Sequence, residues 1–211
     1  MKRALLSVGV LLLLATGCSH VQTMDASLDQ EIKPAEPGKA QIVFMRVSFV
    51  SSAVGCDLFE MTNEKVLKYI GSISMNNKIV YVTDPGEKIF MSVSVSPYDK
   101  ADFMKATVTG GKTYFSMVVP NWGTGGFWLQ PFSNDTQSDF HYSMSEFPQW
   151  VSNTKSVVKK PEIADKFFNE KTSFYNKIFD EYWARWDKKN TEAKQKYTMN
   201  AEDWIDLDEI K

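Results

Sequence analysis

Histidine and thiolate carry most metal-binding and nucleophilic chemistry, and this chain offers two of each: His20, His141, Cys18 and Cys56. Neither histidine has a His or Cys partner at ligand spacing, so no zinc motif is present. His141 sits in the polar run around Phe140-His141-Tyr142, without the Gly-x-Ser-x-Gly elbow that a serine triad would use. Cys56 lies in Gly55-Cys56-Asp57-Leu58-Phe59 with no Arg, Lys or His beside it to activate the thiol, and reads as a small buried hydrophobe. Gly123-Thr124-Gly125-Gly126 lacks a following Lys-Ser/Thr and leads into aromatic residues instead of a helix, so it reads as a strand connection and not a phosphate loop. These residues call for no metal and no cofactor.

Carboxylates are more plentiful, with 26 Asp and Glu in 211 residues. A glycosidase needs only two carboxyls at the right separation, a requirement of geometry and not of sequence. Glu60, Glu64, Asp84 and Glu87 read as solvated charges at turns and strand ends. One cluster suits recognition: Trp122, Phe127 and Trp128 flank the glycines, with Tyr142 and Trp150 further on. Aromatics on a glycine-rich rim can stack on sugar rings or grip a peptide. Alternation sends Phe127 and Trp128 to opposite sides of one strand, so packing of the sheet against a C-terminal helix competes with a binding rim.

Strands must position that rim. Gln41 to Val47 is apolar on both faces, and Cys56–Met61 and Lys65–Ile73 flank a Thr62-Asn63-Glu64 turn. Ile79–Thr83 and Ile89–Val95 flank Asp84-Pro85-Gly86-Glu87, where Pro presets φ and Gly accepts the positive φ of a type II turn, which predicts an antiparallel pair. In the second of these strands Ile89, Met91, Val93 and Val95 oppose Phe90, Ser92 and Ser94. A second hairpin is predicted from Met104–Val108 through Thr109-Gly110-Gly111-Lys112 to Thr113–Val119, stopped by Pro120, with a last strand at Phe127–Gln130. Beyond Phe132 the period becomes helical. Ser145 could cap a short helix, and a long one should start at Pro161 and run to about Lys194 with Ile163, Phe167, Phe174, Ile178, Tyr182 and Trp186 on one stripe and Phe168, Tyr175, Phe179 and Trp183 beside it. Asn200 reads as the cap of a short terminal helix. The predicted class is α+β: an antiparallel β-sandwich or open barrel of six to eight strands over residues 40–132, followed by a loop and helical extension, 133–211, packed on the β domain.

The N-terminus gives an address. Lys2 and Arg3 precede an uncharged stretch from Ala4 to Ala15, too short to span a bilayer, and the segment ends in Leu14-Ala15-Thr16-Gly17-Cys18. This ending resembles the lipobox of bacterial lipoproteins, with Ala15 where that motif usually has Leu. The resemblance implies removal of residues 1–17 and acylation of Cys18, and Ser19 after the cysteine, where Asp often signals retention at the inner membrane, favours the outer membrane facing the periplasm. Cys56 is then left without an intramolecular partner. The remaining 194 residues suffice for one domain, and their 22 basic against 26 acidic side chains give no general attraction to nucleic acid or anionic lipid. Residues 18–39, polar and ending in Pro34, Pro37 and Gly38, read as a flexible tether from lipid to domain.

Three further segments are similar to a known group: Pro37-Gly38-Lys39-Ala40-Gln41-Ile42-Val43-Phe44, Asp84-Pro85-Gly86, and Gly110-Gly111-Lys112-Thr113-Tyr114-Phe115. Over residues 37–132 the chain resembles the bacterial lipoprotein family called domain of unknown function 2846, for which no activity is established and from which no catalytic residue carries over. Glu181 to Trp186 and Asn200 to Asp203 look similar to C-terminal tails of some lipoproteins of this kind. The expected role is that of a non-enzymatic, lipid-anchored envelope protein binding another envelope protein or cell-wall glycan. The alternative is a hydrolase acting on the wall or on a small ligand through a carboxylate pair.

Overall fold

Between residues 40 and 132 the computed structural model, which describes residues 22–47, 54–62, 64–94, 99–123 and 125–210, contains eight strands. They are β2 (Ala40–Arg46), β3 (Cys56–Met61), β4 (Leu67–Ile73), β5 (Asn77–Thr83), β6 (Gly86–Ser94), β7 (Lys100–Val108), β8 (Thr113–Pro120) and β9 (Phe127–Pro131). Three short strands outside that range complete two sheets: β1 (Met24–Ala26), β10 (Lys155–Lys159) and β11 (Thr198–Met199). The orders are β1-β10-β5-β2-β8-β9 and β11-β7-β6-β3-β4, two open sheets face to face with no closed barrel. Most pairs are antiparallel, but β2–β8, β5–β10 and β7–β11 run parallel.

Alternation distributes the strand residues among three cores. Between the sheets lie Ile42 and Phe44 of β2, Cys56 and Leu58 of β3, Phe90 of β6 and Tyr114 of β8. The outer face of the five-stranded sheet carries Phe59, Tyr69, Met91, Val93 and Phe103. The outer face of the six-stranded sheet carries Val43, Met45, Phe115 and Met117, covered by Phe132, by Phe147 of α1 (Phe147–Asn153) and by Ile205. β6 follows the predicted alternation: Phe90 faces the opposing sheet while Met91 and Val93 face outward. Two runs that are apolar on both faces, β2 and β8, become the neighbouring interior strands of their sheet.

Both predicted hairpins are corrected. β5 and β6 do not pair: β5 lies in full register with β2, whereas β6 pairs β3 and, over nine residues, β7. Asp84-Pro85 is therefore an arch from one sheet to the other, with Gly86 at φ +114 using the positive φ that was assigned to a hairpin. The second turn, 109–112, likewise carries the chain from β7 to β8 across the sandwich. Turn chemistry is shared by both geometries, and burial decides between them. Tyr81 and Phe90, on either side of the arch, meet edge to face across the sheets at 6.1 Å.

Part of the expected tether is also structured. Met24, Asp25 and Ala26 lie opposite Lys159, Val158 and Val157, and the Gln30 side chain joins Ser27 and Ser156. Gly71 of β4 makes room for this strand, since a Cβ there would lie 2.6 Å from the Met24 sulfur. The C-terminal region is likewise woven into the sandwich through β10 and β11 instead of resting on it. The short helix before β10 begins after Glu146 without a side-chain cap, so Ser145 does not cap it, and Asn200 opens a turn instead of a helix, its own N–H and side-chain amide donating to Asp203.

The long helix, α2, spans Pro161–Asp187 and is followed by α3, Thr191–Gln195, whose cap is Asn190. No described helix is long and apolar enough to cross a membrane. α2 covers the five-stranded sheet with Phe167, Tyr175, Ile178, Phe179 and Trp186 buried, while Ile163 of the predicted stripe stays 43% exposed. Beneath the helix lies a polar knot. The Asp57 carboxylate accepts from the Tyr175 hydroxyl at 2.6 Å and from Ser72, and the Tyr69 hydroxyl bonds Ser72 at 2.8 Å and Thr23 at 3.0 Å. Placing a charge inside this interface costs several kcal/mol, so Ile178→Asp should destabilise by about 3 kcal/mol or more and lower the melting temperature by roughly 6 to 12 °C. An unchanged thermal melt would show that the stripe does not hold the helix to its own sheet.

Candidate functional site

The three aromatics of the predicted rim separate. Phe127 turns into the core between the sheets, where the fully buried Arg46 guanidinium lies 4.3 Å over its ring. Arg46 also donates to the Val54 and Ile73 carbonyls at 2.7 and 3.2 Å, and burial holds its pKa below the ordinary value. Trp122 stands 75% exposed in the turn between β8 and β9. Trp128 faces away from Phe127, as alternation requires, and meets Tyr197 at 6.2 Å. Tyr142 and Trp150 pack around Phe132 on the outer face of the six-stranded sheet, away from any rim. Cys18 and His20 lie outside the described residues.

Trp128 forms one wall of a cleft of about 350 Å³ where the ends of β7, β9 and α2 converge. Tyr182 and Trp186 come from the last two turns of α2 and Tyr197 from the segment before β11. The basic residues stand on the rings. Lys189 lies 4.9 Å over Trp186 and 5.2 Å over Tyr197, while Arg185 lies 4.7 Å over Tyr182. Lys100 approaches the same Tyr182 at 5.9 Å. Among the described residues lining this cleft, Asp102 of β7 is the one carboxylate, and burial pushes its pKa up to about 6 against the pull of Lys189 and Lys100. Such a site combines flat aromatic surface with positive charge and one proton-accepting group, the equipment for holding a sugar that bears a carboxylate.

Sequence reading missed Lys100, Asp102, Lys189 and Tyr197, because three distant segments bring them together. Asp102 was the available signal, a carboxylate inside a strand between Ala101 and Phe103. Glu60 is a correction. Expected as a solvated charge, it is 6% exposed and accepts from the Tyr81 hydroxyl and from Thr83, with Lys88 at 3.6 Å. It therefore joins the two sheets at the arch between β5 and β6. His141 bonds Ser143 on the surface, and Cys56 is fully buried, which pushes its thiol pKa up and leaves it unreactive. No group of three or more His, Cys, Asp or Glu among the described residues is arranged to hold a metal. The chain matches no protein-family model and no curated protein.

Asp102 makes the cleft sensitive to pH. Its pKa rises on folding from an ordinary 3.8 to about 6, so over that window the folded protein keeps a proton that the unfolded chain has lost. The stability this proton confers is complete below the lower value and disappears as pH rises through the upper one. Asp102→Asn should therefore gain on the wild type by on the order of 2 kcal/mol between about pH 4 and about pH 6.5, measured by denaturant unfolding. A difference independent of pH would contradict the burial of this carboxyl.

Proposed function

We propose that this protein is a non-enzymatic envelope lipoprotein, anchored by acylated Cys18 in the outer membrane and facing the periplasm, that holds carboxylate-bearing cell-wall glycan in the cleft beside Trp128. The observation that carries this reading is the cleft itself, where Trp128, Tyr182 and Tyr197 offer partly exposed rings among Lys100, Arg185 and Lys189. Ring faces suit the apolar faces of sugars, and the basic groups suit the carboxylates that a wall polymer carries on its lactyl and peptide substituents. The lipobox-like ending at Cys18 supplies the address, and the resemblance to the lipoprotein family of residues 37–132 agrees with it.

The hydrolase reading requires two carboxyls facing one another. Asp57 and Glu60 are buried on opposite faces of β3, each committed to hydroxyl donors, and Asp203 accepts from Ser133 and Asn200 in the C-terminal turn. Asp102 has no second carboxylate across its cleft among the described lining residues. These placements favour binding over cleavage.

Co-sedimentation with insoluble peptidoglycan tests the reading. The wild type should pellet with the wall, Trp128→Ala and Lys189→Ala should each weaken binding by roughly five- to tenfold, and Trp122→Ala should leave it nearly unchanged. Failure of the wild type to pellet, or indifference to Trp128, would refute the glycan assignment, and release of soluble muropeptides would turn the assignment to a hydrolase. For the anchor, labelled fatty acid should appear on the wild type and be absent from Cys18→Ala, which should accumulate as precursor. Equal labelling of both would refute the lipobox.

A further inference from the structure

A buried amide normally finds partners for its donor and its acceptor. Gln41 does so: at 5% exposure its amide donates to the Lys33 carbonyl at 3.0 Å and to the Thr113 hydroxyl at 3.4 Å. Gln130 of β9 is equally buried, at 5% exposure, yet its carboxamide has no hydrogen-bond partner among the described residues. Neither of its polar atoms is sealed from solvent, and the space they reach is a cleft of about 340 Å³.

The walls of this cleft are the end of β9, the loop over residues 133–140 and the segment around β11. Hydrogen bonds that leave Gln130 out hold them in place. Asp203, 3% exposed, accepts from the Ser133 hydroxyl at 2.7 Å with one oxygen and from the Asn200 N–H and side-chain amide at 2.8 and 2.9 Å with the other. Asp135 accepts from the Gln137 N–H at 2.9 Å, and Asp139 on one wall pairs with Lys196 on another at 3.0 Å. Three carboxylates thus face a single ammonium, which disfavours an anionic ligand. What the cleft offers is a neutral group that donates and accepts at once, and a secondary amide answers both needs.

Alternation sets this cleft beside the Trp128 cleft. Phe127 and Leu129 turn into the core between the sheets, so Trp128 and Gln130 share the other face of β9, about 7 Å apart. Tyr197 lines the Trp128 cleft, and its chain neighbours Lys196 and Thr198 line the Gln130 cleft. A polymer lying along β9 therefore meets both. We propose, resting on the glycan reading above, that the Gln130 cleft takes the acetamido group of an N-acetylated sugar in the same glycan chain. The Gln130 carboxamide accepts from the acetamido N–H and donates to its carbonyl, and the half-buried Phe140 ring supplies apolar surface for the methyl group. Carboxylates stay with Lys100, Arg185 and Lys189 in the neighbouring cleft, so charge decides which substituent enters which site.

Isothermal titration of the full chain in detergent compares two neutral trisaccharides, the trimer of N-acetylglucosamine and cellotriose, which has a hydroxyl in place of each acetamido group. The wild type should bind the acetylated trimer roughly five- to tenfold more tightly. Gln130→Met keeps the length of the side chain and removes the amide, and should erase that preference while leaving cellotriose binding and the thermal melt unchanged. Equal affinity of the wild type for both sugars would overturn the proposal without recourse to a variant, as would a preference that survives in Gln130→Met. The peptide N-acetyl-alanyl-alanine amide presents the same chemical group without a sugar, and Gln130-dependent binding of this peptide in preference to the trimer would overturn the assignment to a sugar. Co-sedimentation with peptidoglycan accompanies each titration. Pelleting that depends on Trp128, without preference for the acetylated trimer, would strike the Gln130 inference alone, whereas loss of both pelleting and trisaccharide binding would strike the glycan reading with it.

Discussion

A carboxylate under a packed helix must be satisfied where it lies, and around Asp57 that requirement draws in four separate parts of the chain. Asp57 belongs to β3, Ser72 and Tyr69 to β4, Tyr175 to the middle of α2, and Thr23 precedes β1. An ionised group 5% exposed is tolerable because hydroxyl donors reach both of its oxygens. The neighbouring phenols respond in kind, with burial and the Asp57 charge raising the pKa of both Tyr69 and Tyr175 and keeping them protonated donors. Register of the helix on the sheet follows from this knot, because apolar rings alone can slide whereas a hydrogen-bonded carboxylate cannot. The position of Tyr182 and Trp186, about two and three turns beyond Tyr175, and hence one wall of the cleft, depends on it.

The eight strands between residues 40 and 132 were legible because each declares itself locally. Cys56–Met61 is recovered residue for residue, and the outward Met91 and Val93 against the inward Phe90 follow from a period of two. Pairing was not legible, because Pro-Gly and Gly-Gly turns serve an arch as well as a hairpin, and the choice lies with partners more than 30 residues away, such as β2 for β5. Charge misled in the same manner. Glu60 looks like an ordinary surface acid in a linear sequence, and only the approach of Tyr81 and Thr83 explains its burial. Polar composition concealed β1 as well, since the space Met24 fills is provided by the missing side chain of Gly71, 47 residues later.

The candidate site shows the same division. Trp128 was legible as an aromatic near glycines, and its separation from Phe127 by alternation held, yet the residues that make it a cleft come from β7, the end of α2 and the approach to β11. Gly126 at the foot of β9, at φ +88, contributes by omission, since a Cβ there would lie 2.9 Å from the Lys100 side chain. Near that corner the buried Arg46 guanidinium lies over the Phe127 ring and donates to the Val54 and Ile73 carbonyls.

The pairing of β1 with β10 also bears on how the chain reaches this state. Met24 waits for Lys159, so the β1 edge of the six-stranded sheet cannot close until about three-quarters of the polypeptide has emerged, and its centre, where β2 waits for β8, not until a little over half has. Contacts of such sequence separation favour slow closure. A nascent chain released N-terminus first therefore stays open for most of its synthesis, its first strand unseated and its acid knot unassembled, and it locks only when the end of the sequence arrives.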